Sequence, residues 1–369
     1  MLGCNQPVQS QRAATDGQDA IQPQAVQIAN ESVWQGRQTA ITRAVEVASP
    51  AIVSINVTEV REVRSRSAFN DPFFDQFFRR PSYRQQVQSV GSGFVMSSDG
   101  YIVTNDHVAG NALKITVAFQ DGKTLEGELV GTDPYTDLAL IKVTPEDPLP
   151  HLAFSQDAPL VGEWAIALGN PFGLFEAAEP SVTVGVVSAI GRDFAPMNDG
   201  RVYRDMIQTD AAINRGNSGG PLVNAVGEVL GVNTFIYTQQ GGGSIGIGFA
   251  VPSSKVQRII DELRENGEVD RSYYTGLYVA DLSRRIALAL ELNSTNGVIV
   301  RDIDDDSPAS TSGFRPYDVI TSVNGDAISN SNDLSGRLID FRPGDDVRFG
   351  ILRDGEEMEL ILRLARQTG

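Results

Sequence analysis

A serine set among glycines is the first place where this sequence could do chemistry. In Asn214-Arg215-Gly216-Asn217-Ser218-Gly219-Gly220-Pro221-Leu222, the Ser218 hydroxyl lies where glycine lets the backbone turn tightly and approach another molecule. A plain glycine-rich turn accounts for the same residues. A serine hydroxyl becomes a good nucleophile at neutral pH only when a neighbouring base takes its proton, and the base in turn needs an orienting acid. The chain holds two histidines, His107 and His151. His151 follows Pro148-Leu149-Pro150 in a connecting segment, where a histidine is ordinarily just solvated. His107 closes the apolar run Tyr101-Ile102-Val103-Thr104-Asn105, ahead of the small-residue stretch Val108-Ala109-Gly110, and is the better base. Asp137 heads the very apolar Leu138-Ala139-Leu140-Ile141. A charge there is either a surface cap or a buried, paired group.

Composition excludes other chemistries. The chain has 369 residues, 41% hydrophobic and 21% charged, which suits a soluble globular protein of two or three domains. Its 30 Lys and Arg against 47 Asp and Glu give a formal charge of −17. Nucleic acid and anionic lipid are thereby poor general partners, because both need a basic face. One cysteine, Cys4, rules out an intrachain disulfide and a thiolate metal cluster, and two histidines rule out a His-rich zinc site. No cofactor and no metal is expected. Gly241-Gly242-Gly243-Ser244 has no strand-to-helix setting and no following Lys, so it reads as a loop and not as a phosphate cradle. No run approaches the roughly 18 apolar residues of a membrane-spanning helix.

The elements that must hold these residues are mostly strands. Residues 5–36 are polar and read as a tether. Residues 37–49 form a short amphipathic stretch, stopped at Ser49-Pro50, and Ala51–Val57 is a strand. The segment Asp71-Pro72-Phe73-Phe74-Asp75-Gln76-Phe77-Phe78 puts four phenylalanines on a loop. They call for burial against another subunit, in this chain's own cleft, or on their own domain. Strands follow at 87–97, 100–105, 112–119, 124–131 and 137–143, then at 164–169, 181–190, 206–210, 221–224, 228–233 and 247–251. Pro148-Leu149-Pro150 separates the two sets. Short strands at this spacing predict barrels or a sandwich. Residues 253–266 form a helix with Val256, Ile259, Ile260 and Leu263 on one face, Ser253 or Ser254 as cap and Gly267 as exit. Residues 271–366 make a separate unit, with strands near 276–280, 297–303, 317–323, 346–352 and 357–364 and helices near 283–292 and 332–341.

The three candidate catalytic residues run in the order His–Asp–Ser, as in the chymotrypsin arrangement and unlike subtilisin or the α/β-hydrolases. TNDHVAG, TDLALIKV and TDAAINRGNSGGPL resemble the three catalytic segments of the HtrA/Deg family, trypsin-fold proteases that work without ATP. SIGIGFAVPS, LGNPFG and DPFFDQFF resemble further family segments, and 271–366 is similar to the family's PDZ domain. The resemblance spans about residues 38–366. It implies a mainly β protein: a trypsin-like double β-barrel at 37–267 and one C-terminal PDZ domain at 271–366. A single PDZ domain resembles the membrane-tethered, DegS-type members. Leu2-Gly3-Cys4 resembles the end of a bacterial lipoprotein signal, so Cys4 is either a lipid anchor or a chance cysteine on the 1–36 tether.

The resemblance also implies roles. His107 is the base and then the acid, Asp137 fixes its tautomer, and Ser218 attacks. The backbone N–H groups of Gly216 and Ser218 receive the oxyanion, with Asn217 shaping the turn between them. Ile213, Ile236 and Tyr237 line the primary pocket, which favours small or medium aliphatic residues. Tyr237 either narrows that pocket or faces solvent. Arg192 is either an activation relay or a solvated loop charge. Tyr274, Thr275, Gly276 and Leu277 form a loop for a peptide C-terminal carboxylate, with the peptide adding as a strand beside 276–280. Leu334 and Leu338 face that groove or pack in the core. The expected function is an envelope serine endopeptidase acting on unfolded or mis-sorted proteins as a homotrimer. The competing readings are a site-specific protease in stress signalling and a chaperone or PDZ scaffold without proteolysis.

Overall fold

The computed structural model describes residues 36–64, 82–170, 179–194, 200–214, 216–236, 245–292 and 294–367. Helix α1 (Ala40–Ala48) comes first. It starts later than the 37–49 stretch predicts because Thr39 caps it: the Thr39 hydroxyl accepts from the Thr42 N–H, and the Thr42 hydroxyl accepts from the Thr39 N–H.

Strands β1 (Ile52–Arg64), β2 (Ser82–Val95), β3 (Tyr101–Thr104), β4 (Lys114–Ala118), β5 (Thr124–Asp133) and β6 (Leu138–Lys142) close an antiparallel barrel in the order β1-β2-β3-β6-β5-β4. The single turn α2 (Asp106–Ala109) follows β3. Strand β6 reads as an unbroken apolar run because both its faces are covered, one by the barrel interior and one by a helix described below.

A second barrel contains β7 (Trp164–Gly169), β8 (Ser181–Arg192), β9 (Met206–Thr209), β10 (Pro221–Val223), β11 (Val229–Ile236) and β12 (Gly248–Pro252), in the order β10-β11-β12-β9-β8-β7. In its interior Ala165, Ala167, Ala211 and Ala250 pack with larger Val187, Ile207, Ile213, Leu222 and Leu230. Helix α3 (Ser253–Asn266) then packs on β5, β6, β11 and β12, so it ties the two barrels together. Val256, Ile259, Ile260 and Leu263 are fully buried beneath it, and Gly267 ends it in the left-handed region (φ 76°). The expected serine cap is a misreading. Pro252 holds the cap position, Ser253 is already helical, and no side chain bonds the first-turn amides.

The C-terminal unit has its own core around Val298, Val300, Phe314, Ile351 and Phe349. Its sheet comprises β14 (Leu277–Asp281), β15 (Val298–Ile303), β16 (Val319–Val323), β17 (Asp326–Ala327), β18 (Asp346–Arg353) and β19 (Glu356–Arg363), in the order β14-β15-β16-β18-β19 with β17 against β16. A two-stranded ribbon pairs β13 (Tyr273–Tyr274) with β20 (Ala365–Arg366). Helices α4 (Arg284–Ala289), α5 (Pro308–Thr311) and α6 (Ser331–Leu338) complete it. Helix α6 stops short of the predicted 341 because Arg342 precedes Pro343, which disfavours helical backbone there.

Charged pairs join this unit to the barrels. Arg271 donates two bonds of 2.7 Å to Asp133, whose side chain is 1% exposed. Arg342 bonds Glu262 at 2.8 Å, and Lys255 bonds Asp340 at 3.2 Å. Arg204, buried, lies between Asp193 and Asp333 of α6.

Candidate active site

The site lies on the seam between the barrels. The first barrel supplies the candidate base, His107, and the candidate acid, Asp137. Asp137 ends the tight turn between β5 and β6 in the left-handed region (φ 60°), a costly conformation for a non-glycine residue and one that clusters at functional sites. Asn105 Nδ2 donates to the Asp137 carbonyl at 2.8 Å and fixes that turn. The carboxylate is fully buried and meets the start of α2. The backbone N–H of His107 donates to Oδ1 at 3.0 Å, and His107 Nδ1 lies 2.8 Å from Oδ2. Nδ1 is therefore the protonated nitrogen, which leaves Nε2 free to act as base.

The second barrel adds three more contacts to the same carboxylate. Thr234 Oγ1 on β11 donates at 2.6 Å, Tyr203 Oη donates at 3.2 Å, and Arg201 Nε lies 3.3 Å from Oδ1. Burial by itself would raise the Asp137 carboxyl. The hydrogen bonds and charge of His107, the Thr234 hydroxyl and the Arg201 charge outweigh it and hold the group below the usual carboxylate range. Tyr203 is pushed well above an ordinary phenol, by burial first and by the Asp137 charge second. Of the two readings of Asp137, the paired, buried one is what the structure shows.

Ser218 reaches this pair through Thr234. Its hydroxyl donates to the Thr234 carbonyl at 3.1 Å, while the Thr234 side chain bonds Asp137. Thr234 thus touches both Ser218 and Asp137. In this resting geometry the Ser218 hydrogen bond goes to Thr234 and not to the imidazole, and such contacts commonly tighten only with substrate bound. Gly219 locks the serine against the first barrel. Its φ is 84°, and an added Cβ would sit 2.2 Å from the Ser92 carbonyl and 2.4 Å from Thr104 Oγ1. The Ser92 N–H donates back to the Ser218 carbonyl at 3.1 Å.

The turn before the serine is held from several sides. Gly216 has a φ of 106°, and its carbonyl accepts from the Ser92 hydroxyl. Asn217 N–H donates to the Asn214 carbonyl at 3.0 Å, and Ser181 Oγ donates to Asn217 Oδ1 at 3.0 Å. Among the described residues, the N–H groups of Gly216 and Ser218 donate to no acceptor. Arg215 lies outside the described residues.

Other expected positions lie as follows. Ile213 is 1% exposed and belongs to the second-barrel core, in contact with Gly248. Tyr237 and the side chain of Ile236 lie outside the described residues, as do Cys4, the phenylalanine-rich 71–78 segment and Gly241–Ser244. Arg192 ends β8 and bonds Gln208 at 3.2 Å. His151 is exposed, with Nδ1 3.2 Å from the Leu149 carbonyl, and has no part in the site.

In the C-terminal unit, Tyr274 bonds Asp304, which pushes its phenol up to about 12. Gly276 has a φ of 75° and packs against Ser307. The Leu277 N–H donates to Thr275 Oγ1 at 3.2 Å, so this loop already satisfies one of its donors. Strand β14 is the sheet's edge beside α6. Leu334 and Leu338 are buried in the core.

Sequence reasoning missed Thr234, Tyr203, Arg201 and Ser92. Thr234 sits in an ordinary strand, and Ser92 in a strand punctuated by glycines. Neither carries a spacing signal. No group of His, Cys, Asp and Glu among the described residues could hold a metal ion.

Comparison with known proteins gives the same architecture. A trypsin-like peptidase domain model matches residues 91–232, and a PDZ domain model matches 243–364. A Chlamydia trachomatis serovar D protein named "Probable periplasmic serine endoprotease DegP-like" is 44% identical over 299 residues, covering 79% of this chain and 58% of that protein. A Brucella melitensis biotype 1 protein of the same name is 37% identical over 365 residues, covering 89% of this chain and 69% of that one. The chain thus spans little more than half the length of the first relative. Among solved structures, the HtrA-type protease AlgW with a decapeptide matches with a TM-score of 0.65 and 35% identity over 90% of this chain and 100% of that one. A serine endoprotease from Yersinia pestis matches with a TM-score of 0.57 and 30% identity, over 89% of this chain and 98% of that one.

Proposed function

The chain belongs to the HtrA/DegP-like family of trypsin-like serine proteases with PDZ domains, and from that premise we propose that it is an endopeptidase of the bacterial periplasm or cell envelope. Its substrates are unfolded or mis-sorted proteins. The observation that carries this reading is the His107–Asp137 pair at 2.8 Å, joined through Thr234 to the Ser218 hydroxyl. Ser218 attacks the scissile carbonyl while His107 Nε2 takes its proton. His107 then protonates the leaving amine, and Asp137 stabilises the imidazolium. The Gly216 and Ser218 N–H groups receive the oxyanion, a contact worth about 3 kcal/mol per donor in comparable enzymes. The apolar Ala211, Ala212 and Ile213 carry no acid to hold a basic side chain, which favours cleavage after small or medium aliphatic residues.

The PDZ unit takes a peptide C-terminus along the open edge of β14, with the Tyr274–Leu277 loop at the carboxylate, and this binding regulates cleavage. The protomers assemble as a homotrimer. The exposed apolar side chains Leu160, Val161, Trp164 and Val184, on and just before the β7–β8 pair, support self-association. The test is proteolysis of casein. Ser218→Ala abolishes cleavage and leaves the fold intact. Undiminished cleavage by that variant overturns the proposal.

A further inference from the structure

The resting contacts of Asp137 include one positive charge that the proteolytic cycle above does not use. Arg201 lies on the segment entering β9. Its Nε is 3.3 Å from Asp137 Oδ1, and its guanidinium also reaches Asp106 Oδ2 at 3.5 Å. Asp106 is the residue before His107, in the first turn of α2. An Asp106–Arg201–Asp137 row therefore runs beside the imidazole, with side-chain exposures of 13%, 21% and 0%. Charges so little exposed are weakly screened.

The segment that carries Arg201 is rigidly placed. The Val202 N–H donates to the Tyr135 carbonyl at 2.9 Å, across the seam between the barrels. Val202, Tyr203 and Arg204 are all buried. The Tyr203 hydroxyl bonds Asp137, and Arg204 is held between Asp193 and Asp333. Arg201 thus cannot swing freely into solvent, as a surface arginine would.

We propose that Arg201 is a positioning residue: its guanidinium, 3.3 Å from Asp137 Oδ1 and 3.5 Å from Asp106 Oδ2, offsets both carboxylates and so sets the charge balance around the His107 imidazole. This inference rests on the serine-protease reading for its catalytic consequence, but not for its electrostatics. The described charged and titratable groups beside His107 are Asp106 on its own turn, Asp137 from the β5–β6 turn, and Arg201 and Tyr203 from the segment before β9. Their net charge is −1. Removing Arg201 makes it −2 and favours the imidazolium. Removing Asp106 makes it zero and disfavours the imidazolium. Burial, then the Asp137 charge, raises the Asp106 carboxyl, and the Arg201 charge and the Thr132 side chain oppose them.

The test has two readouts on the full chain. The protein has two histidines, so imidazole NMR of histidine-labelled protein shows two titrating rings, and His151→Gln assigns them. The casein rate is followed against pH in parallel. Arg201→Gln raises the His107 midpoint by about half a pH unit, the size of one partly screened charge just beyond the carboxylate. Asp106→Asn lowers it by a similar amount. The double variant returns it to the wild-type value, and Arg201→Lys keeps it there. The acid limb of the rate profile moves with the midpoint. A midpoint that stays put in both single variants overturns the inference, as does a rate loss equal at every pH. If Arg201→Gln does not fold, Asp106→Asn decides alone: an unmoved midpoint overturns, a lowered one supports. If the midpoints shift as stated but wild-type protein leaves casein uncut, the positioning role stands and the proteolytic reading fails.

Discussion

Replacing Thr234 by valine removes one hydroxyl from the buried contact that joins Asp137 and Ser218. Valine matches threonine in shape, and Thr234 is 2% exposed, so the perturbation is chemical and not steric. The Asp137 carboxylate keeps its bonds from the His107 N–H at 3.0 Å, from Nδ1 at 2.8 Å and from Tyr203 at 3.2 Å. It loses the shortest, from Thr234 at 2.6 Å. A hydrogen bond to a charged group contributes roughly 1.5–3 kcal/mol, and this one, short and dry, belongs in the upper half. About 2.5 kcal/mol of stability is expected to disappear at neutral pH. If about 1.4 kcal/mol of the loss is felt in the transition state, kcat/KM falls about tenfold. KM changes little, because Thr234 supports the acid through its side chain.

The pH dependence gives this prediction its sign. The folded-state Asp137 carboxyl lies below its ordinary value of 3.8. Its contribution to stability is therefore fully present above that value and is lost as pH falls through the folded value. The Thr234→Val deficit should be full at pH 7 and shrink in acid as the carboxylate protonates in both proteins. Urea unfolding across that range, with casein cleavage at pH 7, measures both effects. A deficit of the same size in acid and at neutrality, or a rate within twofold of wild type, would refute the hydrogen-bond reasoning.

Gly219→Ala forces a Cβ to within 2.2 Å of the Ser92 carbonyl at a φ of 84°, and should cost well over about 1 kcal/mol and abolish reaction with a fluorophosphonate. Arg271→Ala strands the buried Asp133 carboxylate and should cost about 3–5 kcal/mol, seen in urea unfolding, whereas adding Asp133→Asn should recover much of it. A C-terminal peptide with a free carboxylate should bind in fluorescence anisotropy and its amidated form should not. Equal binding of the two would remove the Tyr274–Leu277 loop as a carboxylate site.

The parts of this protein that were legible in its sequence are those set by local periodicity. The 253–266 helix declares itself through Val256, Ile259, Ile260 and Leu263 at i, i+3, i+4 and i+7, and the structure gives Ser253–Asn266. Strand β7 likewise occupies its expected 164–169. The candidate triad residues stood out in the sequence through the scarcity of histidine, with two in the chain, and through the order His–Asp–Ser. What stayed hidden depends on distant partners. Arg201 and Tyr203 stand 64 and 66 positions after Asp137, and nothing near them marks a catalytic neighbour. Thr234, 97 positions away, looks like any strand threonine. The Thr39 cap of α1 was missed for a local reason: its partner Thr42 is a threonine, where a capping box usually shows Glu or Gln.

The central claim is that an imidazole from one barrel activates a hydroxyl from the other. Fluorophosphonate labelling followed by peptide mass mapping tests it most directly. The wild-type chain should carry a single adduct, on Ser218, and His107→Ala should lose it. An adduct on another residue, or a Ser218 adduct that forms equally fast without His107, would contradict the claim.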